Sequence, residues 1–166
     1  SVLHDLNLKG MNMRKIVIAF VVLLMPSLAL AGGHSGLGGN GTGVVVDLKT
    51  MEGKSGVLVH QTTSDVWIYD NPPEGFPKAT SATCSQFIAF AMGQEQPVGG
   101  SFTCQVVDVD GDVALQSGAF QPAGTALITQ VAGTGKWTAF VGTQLIGKTD
   151  IQVDAKTSTY SWTATN

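Results

Sequence analysis

The chain has 166 residues, 43% hydrophobic and 13% charged, with 21 glycines and a formal net charge of −3. Beyond residue 31 it keeps six lysines, no arginine and eleven carboxylates, a net of −5. An acidic chain without clustered basic groups does not suit phosphate backbones or anionic membrane surfaces, which excludes nucleic-acid binding as a function class.

From Met11 onward the order of residues is that of an export signal. Arg14 and Lys15 form a positive stretch, Ile16 to Met25 an apolar run, Pro26 a break, and Ala29-Leu30-Ala31 a small-x-small cleavage motif. The expected cut falls between Ala31 and Gly32. An apolar run of about ten residues is short of the roughly 20 that span a bilayer, so no stable membrane insertion is expected after cleavage. Residues 1–10 fit no part of a signal peptide and are expected to be a non-native leader ahead of a start at Met11 or Met13. The remainder is a comfortable size for one domain with a real core.

Gly32 to Gly43, seven of them glycine, reads as a flexible lead-in, and residues 44–166 as the folded domain. Val44 to Leu48 predicts a strand, followed by a turn through Glu52-Gly53-Lys54. Gly56 to His60 and Asp65 to Tyr69 predict two more, the second alternating Val66/Ile68 against Trp67/Tyr69. Asn71 to Pro77 carries three prolines and reads as a loop. Cys84 to Met92 suits either a short helix or a buried strand, since its apolar run does not separate the two. Phe102 to Leu115 predicts a hairpin with Asp110-Gly111 at its tip. Further strands are expected near Ala126–Val131, Trp137–Val141, Leu145–Val153 and Ser158–Thr163. Eight to ten short strands at regular spacing predict an all-β barrel or sandwich. Cys84 and Cys104, both in the exported part, are read as a disulfide pair.

Three motifs match a pattern but not its chemistry. Gly142 to Thr149 satisfies the phosphate-loop spacing, yet Asp150 to Asp154 behind it alternates like a strand, where nucleotide binding needs a helix. Gly36 to Gly41 matches a dinucleotide fingerprint, but it leads into a strand. Asp108, Asp110 and Asp112 resemble the first ligands of a calcium loop, but Val113 and Ala119 stand where its glycine and bidentate glutamate belong. A structural hairpin tip is the reading, with no metal ligated. His60, Ser64 and Asp65 are the residue types of a catalytic triad, but neighbours on one strand point to opposite faces and cannot assemble it. No catalytic residue is assigned, and no motif asks for a cofactor.

The second half carries a resemblance. Cys104 to Asp112, then Gly133-Thr-Gly135-Lys136-Trp137, then Tyr160-x-Trp162, is similar to a group of uncharacterised exported bacterial proteins related to the allene oxide cyclase and dirigent-type barrels. The resemblance covers about Cys84 to Asn166 and implies a single antiparallel barrel of about eight strands with an apolar interior. In that superfamily the interior handles small hydrophobic molecules. The expected role is therefore an exported, soluble barrel, periplasmic or secreted, that takes a small apolar ligand. Trp67, Tyr69, Phe87, Phe90, Trp137 and Trp162 are its candidate lining residues. For each of them singly, a side chain that merely fills the barrel is the favoured reading. A structural or protein-interaction component of the envelope is the alternative role, and a cyclase-type enzyme a further one. An open interior argues for the ligand and a filled one for the structural role.

Overall fold

The computed structural model describes residues 37–165. The expected leader, the signal peptide and its cut between Ala31 and Gly32 lie outside the described residues.

Eight strands follow in chain order: β1 Gly39–Gly53, β2 Gly56–Tyr69, β3 Ala79–Ala91, β4 Gly99–Val107, β5 Val113–Phe120, β6 Thr125–Gly133, β7 Gln144–Gln152 and β8 Thr157–Ala164. Each pairs antiparallel with the next, and β1 pairs with β8, so the sheet closes into a barrel. This is the all-β antiparallel barrel of eight strands that the sequence predicts. No helix among the described residues is long and apolar enough to cross a membrane.

Side chains alternate between the interior and the outside. On β2 Thr63, Asp65, Trp67 and Tyr69 are buried while Val66 and Ile68 are exposed. On β4 the buried set is Phe102, Cys104 and Val106. Cys84 and Cys104 stand directly opposite each other in the β3–β4 register and are joined as a disulfide.

The glycines of β1 make closure possible. Gly39, Gly41 and Gly43 occupy the inward positions of the strand, between β2 and β8. A β-carbon on Gly41 would lie 2.7 Å from the Tyr160 ring and 2.9 Å from Trp67, and one on Gly43 would meet the Asp65 carboxylate. The bulky inward residues of β2 and β8 thus occupy the space that β1 leaves bare. This corrects the expectation of a flexible lead-in through Gly43. Glycine spaced by two leaves one strand face empty, and that face packs by receiving its neighbours.

The connections alternate between two ends. At one end, which we term closed, lie the β2–β3 loop, the β4–β5 loop and the 3-10 helix Gly135–Phe140 that joins β6 to β7. Leu37 and Ala164, near the two limits of the described chain, belong to the same end, where the Trp162 indole N–H donates to the Leu37 carbonyl at 2.6 Å. Phe76 from the β2–β3 loop packs edge-on against Trp137 at 4.4 Å and Phe140 at 4.9 Å between ring centres. Tyr69 completes this aromatic plug. The other end carries the β1–β2, β3–β4, β5–β6 and β7–β8 turns.

Three further expectations change. Gly56–His60 and Asp65–Tyr69 are one continuous strand, β2. Cys84 to Ala91 belongs to strand β3, which settles its ambiguity. The strand expected over Trp137–Val141 is instead the 3-10 helix, with Trp137 and Phe140 buried. Those two residues are three apart, so the tighter helix puts both on one side, where a strand would send them to opposite faces.

Two stability predictions follow from the packing. Gly41→Ala forces a methyl between the Tyr160 and Trp67 rings and is expected to cost about 1–3 kcal/mol, read as a lower denaturant midpoint at unchanged slope. Replacing both Cys84 and Cys104 with serine releases a cross-link between residues 20 apart in sequence, at a cost of about 3 kcal/mol by the same measurement.

Candidate functional site

Above the aromatic plug the barrel is not filled. A cavity of about 980 Å³ runs from the middle of the barrel to the end opposite the plug. Val59, Ile88, Phe90, Phe102, Phe120 and Ile128 form apolar walls, and Trp67, Trp162, Leu145 and the Cys84–Cys104 disulfide line its deep part. Glu95, Gln121, Lys148 and Lys156 line the mouth.

One wall is polar, and its hydrogen bonds have a fixed direction. The Trp67 indole N–H, which can only donate, gives its proton to the Tyr160 hydroxyl oxygen at 2.6 Å. The Tyr160 O–H in turn donates to one carboxylate oxygen of Asp65 at 2.5 Å. Thr63 donates to the other oxygen at 2.6 Å. Behind Thr63 stands Gln86, whose amide N–H points to the Thr63 oxygen at 3.5 Å while its own carbonyl accepts from Gln61 at 2.8 Å. All the donors thus converge on Asp65, a carboxylate only 3% exposed. Residues at alternate positions of β2 and β3, with Tyr160 of β8 across β1, bring this chain onto one wall.

Burial raises the Asp65 carboxyl above its ordinary value of 3.8, and the hydrogen bonds from Thr63 and Tyr160 pull it back in part. Burial also raises Tyr160, aided by the negative charge of Asp65 and the hydrogen bond to it. Tyr69, deeper in the plug, is pushed up to about 12, by burial first and then by the charge of Asp108, against a hydrogen bond with Thr80.

A second carboxylate cluster closes the plug from beneath. In the β4–β5 loop the Asp108 carboxylate accepts the backbone N–H of Asp110 at 2.9 Å and of Asp112 at 3.0 Å, and Gly111 takes a φ of 85°. Such a turn holds Asp108 in place, as hairpin tips use Asp and Gly to do. Its other oxygen accepts the Trp137 indole N–H at 3.1 Å and the Lys136 ammonium at 2.9 Å. Lys136 also reaches Asp110 at 2.6 Å and Asp112 at 3.5 Å. The three aspartates that resemble calcium ligands are thus gathered around a lysine, and the cluster anchors the 3-10 helix to the β4–β5 turn. Burial alone would raise Asp108, but Lys136, Trp137 and the two backbone donors outweigh it and hold its carboxyl below the ordinary value. The hydrogen bonds to Asp110 and Asp108 raise Lys136.

The six aromatic residues singled out from the sequence part company here. Trp67, Phe90 and Trp162 line the cavity. Tyr69 and Trp137 do not; they are packed in the plug, because they sit one step nearer the closed end. Phe87 is 45% exposed and stacks on His60 outside the barrel, since it has the opposite parity to Phe90 on β3. His60 lies on that outer face, its Nε2 3.1 Å from the Ser85 hydroxyl, whereas Asp65 faces inward, so the triad-like types are separated. The phosphate-loop match ends in strand β7, with Lys148 paired to Asp150 at 3.6 Å. The polar wall was missed. Extending the alternation of Trp67 and Tyr69 back by two places puts Asp65 on the buried face, which is the signal that finds it.

Compared with protein-family models, with curated proteins and with solved structures, the chain matches none.

The lysine cluster makes a pH prediction. A carboxyl lowered in the folded state adds stability above its unfolded value, near 3.8, and that stability fades as pH falls through the folded value. Lys136→Met removes the main partner of Asp108, so the variant should unfold at a lower temperature than wild type near neutral pH. The gap should shrink as pH falls below the unfolded value near 3.8 and on through the lower folded value, where Asp108 takes up its proton in wild type as well. Thermal melts of the two proteins across that range measure it.

Proposed function

We propose that this chain is an exported β-barrel that binds a small, largely apolar molecule inside the barrel. The observation that carries this reading is the cavity of about 980 Å³, at the upper end of the size of small-molecule sites. A barrel of eight strands can be filled by its own side chains. Here glycine at position 147 and alanine at 126 keep the inward face of β6 and β7 small around the cavity. Apolar walls with a few convergent polar groups are the usual character of a binding pocket. The Cys84–Cys104 disulfide fits a protein that works in an oxidising compartment, in keeping with the export signal of the sequence. The resemblance to barrels that handle hydrophobic molecules points the same way.

Native mass spectrometry of the protein expressed in full and recovered from the exported fraction tests both halves of this reading. The expected chain begins at Gly32 and releases a bound small molecule on activation. A neutral apolar fluorophore such as N-phenyl-naphthylamine should bind the same protein with a Kd of the order of micromolar. Ala126→Trp places an indole in the cavity and should weaken that binding at least about tenfold. Absence of both a co-purified molecule and fluorophore binding would overturn the reading.

A further inference from the structure

The barrel holds two buried carboxylates, Asp65 and Asp108, and treats them differently. Asp108 is given a lysine, two backbone N–H groups and an indole. Asp65 is given hydroxyl donors alone. The ion pairs among the described residues belong to Asp47, Asp108, Asp110, Asp112 and Asp150, and none reaches Asp65. Burial favours the neutral form of Asp65, while the hydrogen bonds around it favour the ionised one. The oxygen of Tyr160 is taken by the Trp67 N–H, so the Tyr160 proton must go to Asp65. The Thr63 proton goes to the other carboxylate oxygen. With both oxygens accepting, the wall provides donors suited to an ionised carboxylate.

A charge taken from water without a counter-ion is costly, and proteins pair such charges or use them. Asp65 lines the cavity, so the missing positive charge can come from what the cavity holds. Aromatic rings line the cavity beside it: Tyr160 donates to Asp65, Trp67 donates to Tyr160, and the Trp162 ring lies 5.6 Å from Trp67 and 6.1 Å from Tyr160, centre to centre. Such faces attract an organic cation and accept its apolar body. At the mouth Lys148 is paired with Asp150, and Glu95 offsets Lys156, so no uniform positive rim bars a cation from entering.

We infer that the molecule bound in the cavity is a protonated amine on an apolar or aromatic body, with its ammonium group on the Asp65 carboxylate. This rests on the cavity being a binding site. An anionic ligand would meet a like charge at Asp65, and a neutral alcohol would supply one hydrogen bond but leave the charge uncompensated.

Three probes of nearly the same shape decide it: phenethylamine, phenethyl alcohol and hydrocinnamate, titrated calorimetrically into wild-type protein near neutral pH. The amine should bind at least about tenfold tighter than the alcohol, the size of a hydrogen bond to a charged group, and the carboxylate weakest. Asp65→Asn keeps the shape and removes the charge, so amine and alcohol should then bind alike. Its thermal midpoint, expected at or above that of wild type, reports that the fold is intact. Equal binding of amine and alcohol by wild type, or tightest binding of the carboxylate, overturns the inference while leaving the cavity a binding site. Binding of none of the three, together with failure of the neutral fluorophore, overturns both. The wild-type ranking decides the matter by itself where the variant proves unstable.

Discussion

Closure of this barrel depends on a strand face with nothing on it. β1 must hydrogen-bond to β2 on one side and β8 on the other, and the inward side chains of those two strands include Trp67, Tyr160 and Trp162. With ordinary side chains at residues 41 and 43 on β1 the interior would be overfull at that level. The bare face lets the Tyr160 ring and the Asp65 carboxylate lean towards β1 and meet each other. One glycine pattern thus serves both closure and the polar wall. Cost and use coincide here, since glycine within a strand gives up packing and conformational entropy that the neighbouring rings must make good.

The interior is graded along the barrel axis. The end below Trp67 and Trp162 is packed solid with aromatic rings in edge-on contacts and tied down by Asp108 and Lys136. Towards the other end large apolar residues such as Phe90 and Phe120 line the walls beside small and polar ones such as Ala126, Gly147 and Gln61, and the space stays open. A rigid base beneath an open chamber is the arrangement in which a binding site can be wet, or occupied, without loosening the fold. Buried polar groups in the chamber are all partnered, which fits a preformed wall.

Much of the architecture was legible in the residues. Alternation in Val66-Trp67-Ile68-Tyr69 and Tyr160-Ser161-Trp162-Thr163 gave correct inward faces, and the Asp110-Gly111 tip and the cystine fell where turn chemistry and compartment placed them. Two failures have a common origin. The glycines of β1 carry no side chain, so they give no pattern for periodicity to detect, and only their neighbours show what face they occupy. Trp137 sits in a 3-10 helix because its partners Phe76 and Asp108 come from distant parts of the chain, a tertiary influence that local alternation does not contain. The polar wall was hidden for the same reason. Tyr160 and Asp65 are 95 residues apart in sequence and meet only when β1 brings β2 and β8 together.

The orientation of the chain within the barrel has a practical side. Leu37 and Ala164 both lie at the packed end, away from the chamber. A tag, a surface linkage or a fused domain joined near either of these residues would hold the barrel by its base and leave the entrance facing solvent. The two positions are also close enough that joining them through a short linker, and reopening the chain at an entrance turn such as Lys54-Ser55, is a natural circular permutation. The scaffold therefore keeps any point of attachment and the open chamber at opposite ends of one barrel.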